Sequence, residues 1–190
     1  MKILTWKKFI KDGIQSKERK TSMTVGVFDG VHLGHQALIK KVVSHNADYL
    51  PVVITFRKNH KMGMKNTGVN EIQSFEERLN LFGELGIKET IVIDFTDKFK
   101  QMPGNDFLET LSEKGNIGFF AVGGNFRCGY KLDTDAKKIE AFFVSRQVPA
   151  VIIPEVMEGM FPVSSSRIRA AITDGDTKLA EKMLGRKYTM

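Results

Sequence analysis

Short, mostly apolar runs alternate with stretches of helical periodicity along most of this chain, and this alternation constrains the fold more than any other feature. Apolar residues that recur every three or four positions indicate helices that cover a hydrophobic surface with one face. The short runs are almost continuously apolar, as expected of strands that are buried on both sides. The predicted strands span residues 23–28, 51–56, 90–95, 118–122 and 148–153.

Helical patterns occupy the segments between these strands, and one of them has a clear start signal. Ser74-Phe-Glu-Glu77 has the form of a capping box, in which the serine and glutamate side chains bond free N–H groups at a helix start. Gly86 is suited to end that helix. We expect a mobile, basic loop over residues 57–70. The predicted helices span residues 35–46, 74–86, 103–114, 134–146, 164–172 and 177–184.

Buried strands separated by helical crossovers predict an α/β fold, in which a parallel sheet carries helices on both faces. In such sheets, ligands bind beyond the carboxyl ends of the strands. A chain of 190 residues is long enough for one complete hydrophobic core, so we predict a single domain over residues 1–190.

The charge and the cysteine count restrict the class of protein only loosely. Lys and Arg number 29 against 22 for Asp and Glu, and the resulting charge of +7 suits an anionic partner such as a nucleotide, a nucleic acid or an acidic membrane. Cys128 is the only cysteine, which excludes an intrachain disulfide and a thiolate zinc cluster. No apolar run approaches the ~20 residues of a membrane-spanning helix. We therefore expect a soluble, cytoplasmic protein without a membrane partner, and the sequence does not predict its oligomeric state.

The segment Gly26-Val-Phe-Asp-Gly-Val-His-Leu-Gly-His35 joins the first predicted strand to the helix that follows. Its glycines permit a tight turn, and the helix start offers free N–H groups and a dipole that favour phosphate. His32 and His35 lie on the same side of a first helical turn, where two imidazole N–H groups would stabilise charge on a phosphate under attack. An ordinary loop with two structural histidines is the alternative. A zinc site is not expected, because the histidines and Asp29 have no further ligand cluster.

Two other segments can contribute to the same kind of site. Ser164-Ser-Ser-Arg-Ile-Arg169 combines hydroxyls, free N–H groups and guanidinium groups at a predicted helix start, which suits a second anion site, although helix capping alone also explains it. Val122-Gly-Gly-Asn-Phe-Arg-Cys-Gly129 follows the fourth predicted strand, and its Asn125 offers both donors and acceptors. A simple loop explains that composition equally well.

Together these segments resemble the nucleotidyltransferase superfamily, with its His-x-Gly-His and Ser-Ser-Thr-x-x-Arg signatures. More closely, the chain resembles the FMN adenylyltransferase module of bacterial bifunctional riboflavin kinase/FAD synthetases over roughly residues 20–188. The matching motifs lie at residues 26–35, 122–127 and 163–169. The resemblance implies a Rossmann-like nucleotidyltransferase fold and a single module that lacks the C-terminal riboflavin kinase domain.

The same resemblance implies transfer of the adenylyl group of ATP to FMN, which gives FAD and pyrophosphate, with Mg²⁺ accompanying ATP. FMN would attack directly, without a protein nucleophile, and ATP and FMN would be the partners rather than a nucleic acid. The implied catalytic residues are His32, His35 and Arg169. The implied ATP-binding residues are Gly26, Phe28, Asp29, Gly34, Ser164 and Ser165. The implied flavin contacts are Phe56, Asn59 and Asn125, and no protein ligand to a metal is implied.

Two departures from the family pattern keep other functions open. Phe56 is followed by Arg57-Lys-Asn-His60 where the family has Phe-x-Pro-His-Pro, and Cys128 replaces an aromatic residue. Both lie where the acceptor is expected, so an adenylyltransferase for another phosphorylated acceptor remains an alternative. A nucleotide- or flavin-binding homologue with weak or lost turnover is another. A fragment of an aminoacyl-tRNA synthetase shares His-x-Gly-His, but the size of the chain and the early position of its lysines at 61–65 disfavour it.

Overall fold

Six parallel strands form the central sheet of the computed structural model, which describes residues 1–16, 18–57 and 71–188. The strands of this sheet are β1 (Lys2–Thr5), β2 (Thr21–Val25), β3 (Leu50–Phe56), β4 (Glu89–Ile93), β5 (Ile117–Gly123) and β8 (Ala150–Ile153). Two short antiparallel ladders pair β6 (Arg127–Cys128) with β7 (Thr134–Asp135) and β9 (Met157–Glu158) with β10 (Phe161–Pro162).

Eight α-helices of the described residues lie between these strands or follow the last of them. They are α1 (Trp6–Asp12), α2 (Leu33–Ser44), α3 (Phe75–Glu84), α4 (Asp97–Lys100), α5 (Gly104–Gly115), α6 (Ala136–Val144), α7 (Ser165–Thr173) and α8 (Thr177–Leu184), with a 3₁₀ turn at Tyr130–Leu132. Among the described residues, no helix is both long and apolar enough to cross a membrane.

Both faces of the sheet are covered, as the sequence predicts. Successive residues of β3 enter opposite hydrophobic clusters: Val52 and Ile54 pack with α1, α5 and α6, whereas Val53 packs with α2 and α3. This alternation follows from the two-residue period of a strand. It explains why the strand segments are almost continuously apolar, and it confirms the predicted α/β fold.

The order of the strands places a crevice at the end of β2. The sheet runs β1-β4-β3-β2-β5-β8, so the chain moves from β2 to one side for β3 and β4 and to the other side for β5 and β8. Loops that leave adjacent strands in opposite directions separate there, and this switch point is the usual ligand-binding position of an open parallel sheet.

The last two helices pack against the start of α2 rather than against the sheet. α7 and α8 enclose a third cluster, which includes Ile168, Met183 and Leu184. The Gln36 side chain of α2 donates to the carbonyl oxygens of Val31 (2.9 Å) and Leu184 (2.8 Å). This contact fixes the helical pair beside the loop that follows β2.

The five predicted strands and six predicted helices are present, with differences at their ends, and the short strands β6, β7, β9 and β10 and the 3₁₀ turn are additional elements that were not predicted. The strand predicted over 23–28 ends at Val25, because the backbone then turns and Phe28 adopts a positive φ of 56°. The helix predicted over 134–146 begins at Ala136, because Thr134–Asp135 pairs with β6. β1, α1 and α4 were not predicted. The predicted loop at 57–70 lies outside the described residues except for Arg57.

The capping box of α3 provides a test of the local structure. The Ser74 hydroxyl accepts from the Glu77 N–H (3.1 Å), and the Glu77 carboxylate accepts from the Ser74 N–H (2.7 Å). Ser74→Ala removes the first of these bonds, so we expect the free energy of unfolding to fall by about 1 kcal/mol in chemical denaturation. Ser112→Ala, inside α5, removes the same atoms without removing a cap. An equal loss from both variants would contradict the assigned capping role.

Candidate active site

A cavity of about 290 Å³ lies at the carboxyl edge of the sheet, between the loops that follow β2, β3, β5 and β8 and the start of α7. Every sequence-predicted site residue that the structure describes lines this cavity. These residues are Gly26, Phe28, Asp29, His32, Gly34, His35, Phe56, Asn125, Ser164, Ser165 and Arg169. The remaining predicted flavin contact, Asn59, lies outside the described residues.

The turn after β2 is built around the ring of Phe28. This side chain is fully buried, and its ring meets the rings of His35 and Phe82 edge-on, with centroids 5.1 and 5.5 Å away. A Cβ on Gly26 would lie 3.0 Å from the Phe28 ring, so a larger residue there would push this buried ring aside. Phe28 thus packs against the His35 ring and supports it. The predicted role of Gly26 and Phe28 in binding ATP stays a prediction.

His32 and His35 stack at the start of α2. Their ring centroids are 3.6 Å apart with an interplanar angle of 18°. His32 is the N-cap residue, and its Nδ1 accepts from the His35 N–H at 3.4 Å, which assigns the proton of the neutral ring to Nε2. A Cβ on Gly34 would lie 3.2 Å from the His32 ring, so Gly34 makes room for this arrangement.

Burial keeps both histidines uncharged near neutral pH. Burial, assisted by the charge of Arg186, lowers the pKa of His32 to about 4. Burial also lowers the pKa of His35 well below its usual value, and His32 and Arg78 act in the same direction. The two rings therefore present neutral N–H groups to a ligand rather than cationic ones.

Asp29 ties the turn to α7. Its Oδ2 lies 2.5 Å from Nη1 of Arg169, its Oδ1 accepts from the N–H of Ile72 (3.1 Å), and its backbone carbonyl accepts from the Ser165 hydroxyl (2.8 Å). The Asp29 and Arg169 side chains are 2% and 16% exposed. The carboxylate of Asp29 and the hydroxyl of Ser165 therefore hold Arg169 and the start of α7 in place. A direct contact of either residue with ATP stays a prediction.

The start of α7 faces the cavity with free donors. Ser164 is the N-cap residue, and its hydroxyl accepts from the Arg167 N–H at 3.2 Å. The first N–H groups of a helix have no partner within the helix, and with the helix dipole they attract an anion. Ser166 also lines the cavity, and the predicted site did not include it.

One side of the cavity is an aromatic wall that the sequence analysis missed, apart from Phe56. Phe95 and Phe99 lie 5.9 and 6.0 Å from Phe56 between ring centroids and 5.7 Å from each other. Lys100 of α4 lines the same side. Phe95 closes the strand predicted over 90–95, at the edge where ligands bind, and that position was an available signal.

The opposite side of the cavity is polar. The Asn125 amide, after β5, donates to Oε1 of Glu155, after β8, at 3.2 Å. Glu155 was also missed, although it follows the strand predicted over 148–153 at the ligand-binding edge. Cys128 lines the cavity as well, and burial, with the charge of Asp133, raises the pKa of its thiol to about 12. A thiol in that state is a poor nucleophile.

Comparison with known proteins identifies related sequences over most of the chain. The family model for FAD synthetase matches residues 14–167. Bifunctional riboflavin kinase/FMN adenylyltransferases from Bacillus subtilis and Escherichia coli K12 are 27% and 25% identical over 92% and 93% of this chain. These matches cover 56% and 58% of the two relatives, so the chain spans little more than half of their length.

Solved structures share the fold. A protein of Streptococcus pneumoniae named as a macrolide-efflux protein superposes over 99% of this chain and 61% of its own, with a TM-score of 0.83 and 26% identity. A pantoate-β-alanine ligase from Francisella tularensis superposes over 97% of this chain and 78% of its own, with a TM-score of 0.61 and 14% identity. The second match shows likeness of fold alone.

The lowered pKa of His32 predicts a loss of stability in acid. An unfolded histidine has a pKa of about 6.5, whereas that of folded His32 is about 4. Between these values the unfolded chain binds more protons, so the free energy of unfolding falls as the pH drops from 6.5 to 4. His32→Asn keeps a capping side chain that does not titrate. Between pH 7 and pH 4 this variant should lose up to about 3 kcal/mol less than the wild type in urea unfolding.

The control for this measurement is His45→Asn. His45 is only half-buried at the end of α2, so its replacement should alter the acid-induced loss much less. If the stability of His32→Asn fell as steeply as that of the wild type, His32 would be protonated in the folded protein and the neutral assignment would be wrong.

Proposed function

The chain belongs to the FAD synthetase family, and on that basis we propose that it is a nucleotidyltransferase that joins the adenylyl group of ATP to FMN, forming FAD and pyrophosphate. The observation that carries this proposal is one cavity in which two histidine N–H donors, a helix start and an aromatic wall meet. We further propose that residues 1–190 act as one FMN adenylyltransferase module.

The phosphates of ATP fit between the starts of α2 and α7. Two helix starts converge on the cavity there, and both provide backbone donors and a favourable dipole. The ion pair with Asp29 fixes the guanidinium of Arg169 beside them. In the proposed reaction, Ser164 and Arg169 hold the triphosphate, while His32 and His35 face the α-phosphate.

The proposed reaction requires correct positioning of ATP and FMN and stabilisation of the charge that develops, and it needs no covalent intermediate with the protein. An oxygen of the FMN phosphate attacks the α-phosphorus of ATP, and the bond from that phosphorus to the oxygen bridging to the β-phosphate breaks. Pyrophosphate leaves with the electron pair. Neutral N–H groups of His32 and His35 stabilise the charge that develops on the α-phosphate oxygens. Cys128 takes no part, because its thiol stays protonated.

The aromatic wall suits the flavin ring. Phe56, Phe95 and Phe99 present ring faces and edges about 6 Å apart along one side of the cavity. Flat aromatic ligands gain both apolar burial and ring–ring contact on such a surface. We therefore place the isoalloxazine ring on the side of β3 and β4, and the adenosine on the side of β5 and β8.

Mg²⁺ accompanies ATP in the proposed reaction, but the described residues do not form a protein site for it. Among residues 1–16, 18–57 and 71–188, no group of three or more His, Cys, Asp and Glu side chains could hold a metal ion. The Asp29 carboxylate is already paired with Arg169 and the N–H of Ile72. Phosphate oxygens and water would provide the ligands instead.

ATP and FMN are the proposed partners. The positive net charge is attributed to phosphate ligands and solvated lysines rather than to nucleic acid. We place the reaction in the cytoplasm.

Product analysis tests the function directly. Purified protein is incubated with ATP, Mg²⁺ and either FMN or riboflavin, and the products are separated by chromatography. We expect FAD and pyrophosphate from FMN and no conversion of riboflavin. Binding of ATP and FMN without FAD formation would overturn the proposed turnover and favour a binding protein. AMP transfer to a different phosphate ester would overturn FMN as the acceptor.

His32→Ala separates catalysis from binding in the same assay. We expect kcat to fall by about 100-fold, as for loss of an oxyanion donor, while the affinity for FMN changes little. Equal losses in kcat and flavin affinity would show that the histidine is structural instead.

Glu155 gives the polar side of the cavity a means to recognise ribose. One carboxylate oxygen accepts from Asn125 at 3.2 Å, and the group has a second oxygen to accept from a sugar hydroxyl. On this proposal Asn125 lies on the nucleotide side, and the flavin contact predicted for it from sequence stays the alternative. Glu155→Gln should lower the preference for ATP over 2′-deoxy-ATP about tenfold in kcat/KM, since a charge-assisted hydrogen bond is lost.

Glu113→Gln, on the exposed face of α5, removes an equal charge away from the cavity and should leave the preference unchanged. A Glu155→Gln enzyme that discriminates the two nucleotides as well as the wild type would exclude Glu155 from ribose recognition.

A further inference from the structure

Arg78 of α3 is a fully buried arginine behind the catalytic turn, with 0% of its surface exposed. Its Nη1 donates to the backbone carbonyls of Val27 (3.1 Å) and Phe56 (2.9 Å). Val27 follows β2 and Phe56 ends β3, so one guanidinium nitrogen joins the carboxyl ends of two neighbouring strands. Arg78 was not among the predicted site residues, although it lies four positions before buried Phe82 and therefore on the same face of the helix.

The burial of this cation is costly, and the described residues compensate for it only in part. Within the described residues, Nε and Nη2 have no hydrogen-bond partner. Burial lowers the pKa of the guanidinium, whereas the charges of Asp29 and Glu71 raise it. Replacing a buried charge by an apolar side chain of similar volume is often neutral or stabilising. The stability of the fold alone therefore gives little reason for an arginine at this position.

The two carbonyls that Arg78 binds, those of Val27 and Phe56, belong to the segments that shape the turn after β2. The β2–β3 pairing ends with Gly26, whose N–H donates to Ile54 at 3.1 Å. Beyond that point the carbonyl of Val27 accepts from Arg78 and from the Thr55 hydroxyl (3.1 Å). The next residue is Phe28, whose φ of 56° is unfavourable for a bulky side chain and must be imposed by its surroundings.

A chain of direct contacts leads from this carbonyl to the histidines. The Phe28 ring meets the His35 ring at 5.1 Å, and the His35 ring stacks on that of His32 at 3.6 Å. A shift of the Val27 peptide would therefore move the ring that supports both histidines. Misplacement of a reacting group by about 1 Å can lower a rate about 100-fold.

We propose that Arg78 is the positioning residue of the active site: by holding the carbonyls of Val27 and Phe56, it fixes the Phe28 turn and thereby the two histidines. This inference rests on the proposed function, because it assigns the histidines to catalysis. It also connects the acceptor side of the cavity to the phosphate side, since Phe56 belongs to the aromatic wall.

The test compares Arg78→Lys with Arg19→Lys. Arg19 also donates to backbone carbonyls, those of Ala47, Asp48 and Tyr49, but it is exposed and lies near the start of β3, at the opposite edge of the sheet. Arg78→Lys keeps the charge but loses the guanidinium geometry. We expect kcat to fall by about tenfold with KM for ATP within about twofold of the wild type, and no change in kcat for Arg19→Lys.

A second readout does not depend on turnover. With ¹⁵N-labelled histidine, the ring resonances of His32 and His35 should shift in Arg78→Lys and stay in place in Arg19→Lys. Unmoved ring resonances, or a kcat for Arg78→Lys equal to that of the wild type, would overturn the positioning role. If the wild type formed no FAD, the proposed function would fail, and the resonances alone would decide whether Arg78 fixes the histidines. Arg78→Met, which also loses the charge, should show a larger effect where it folds.

Discussion

The ion pair between Asp29 and Arg169 is the contact on which the rest of the site depends. It joins residues 140 positions apart, and it brings the start of α7 against the turn after β2. A buried pair of this kind contributes little net stability, because both charges lose their hydration. Its effect here is geometric: together with the bond from the Ser165 hydroxyl to the Asp29 carbonyl, it holds the two helix starts as walls of one cavity.

The turn after β2 is crowded by its own side chains, and this changes how its glycines are understood. The sequence suggests that Gly26 and Gly34 leave room for a ligand. In the structure, Gly26 leaves room for the Phe28 ring and Gly34 for the His32 ring. The glycines therefore act indirectly, since they leave the space of a Cβ free for the rings of Phe28 and His32.

Patterns within short stretches of the sequence predicted the features that depend on interactions between neighbouring residues. Continuous apolar strands predicted the parallel sheet, the capping box predicted the start of α3, and the three motif segments contain most of the residues that line the cavity. Phe99 was missed because its position at the site depends on which strands become neighbours. Glu155 and Arg78 had a local signal, the end of a predicted strand and the buried face of a predicted helix, but that signal does not indicate what each side chain contacts. β1 was missed for a related reason: only Leu4 of its four residues is buried, so pairing with β4 defines it rather than a pattern.

The charges of the residues that line the cavity affect the kcat of the proposed reaction. His32 and His35 are neutral, and Asp29 neutralises Arg169, so much of the donor capacity consists of dipoles rather than free cations. Strong cationic sites bind a triphosphate, its transition state and pyrophosphate alike, and such uniform binding does not raise kcat. Fixed N–H dipoles instead stabilise the transition state more than the bound substrate, because they point to the position where charge develops. The precision of their placement then matters more than their strength, and this placement is the role proposed for the buried Arg78 behind the turn.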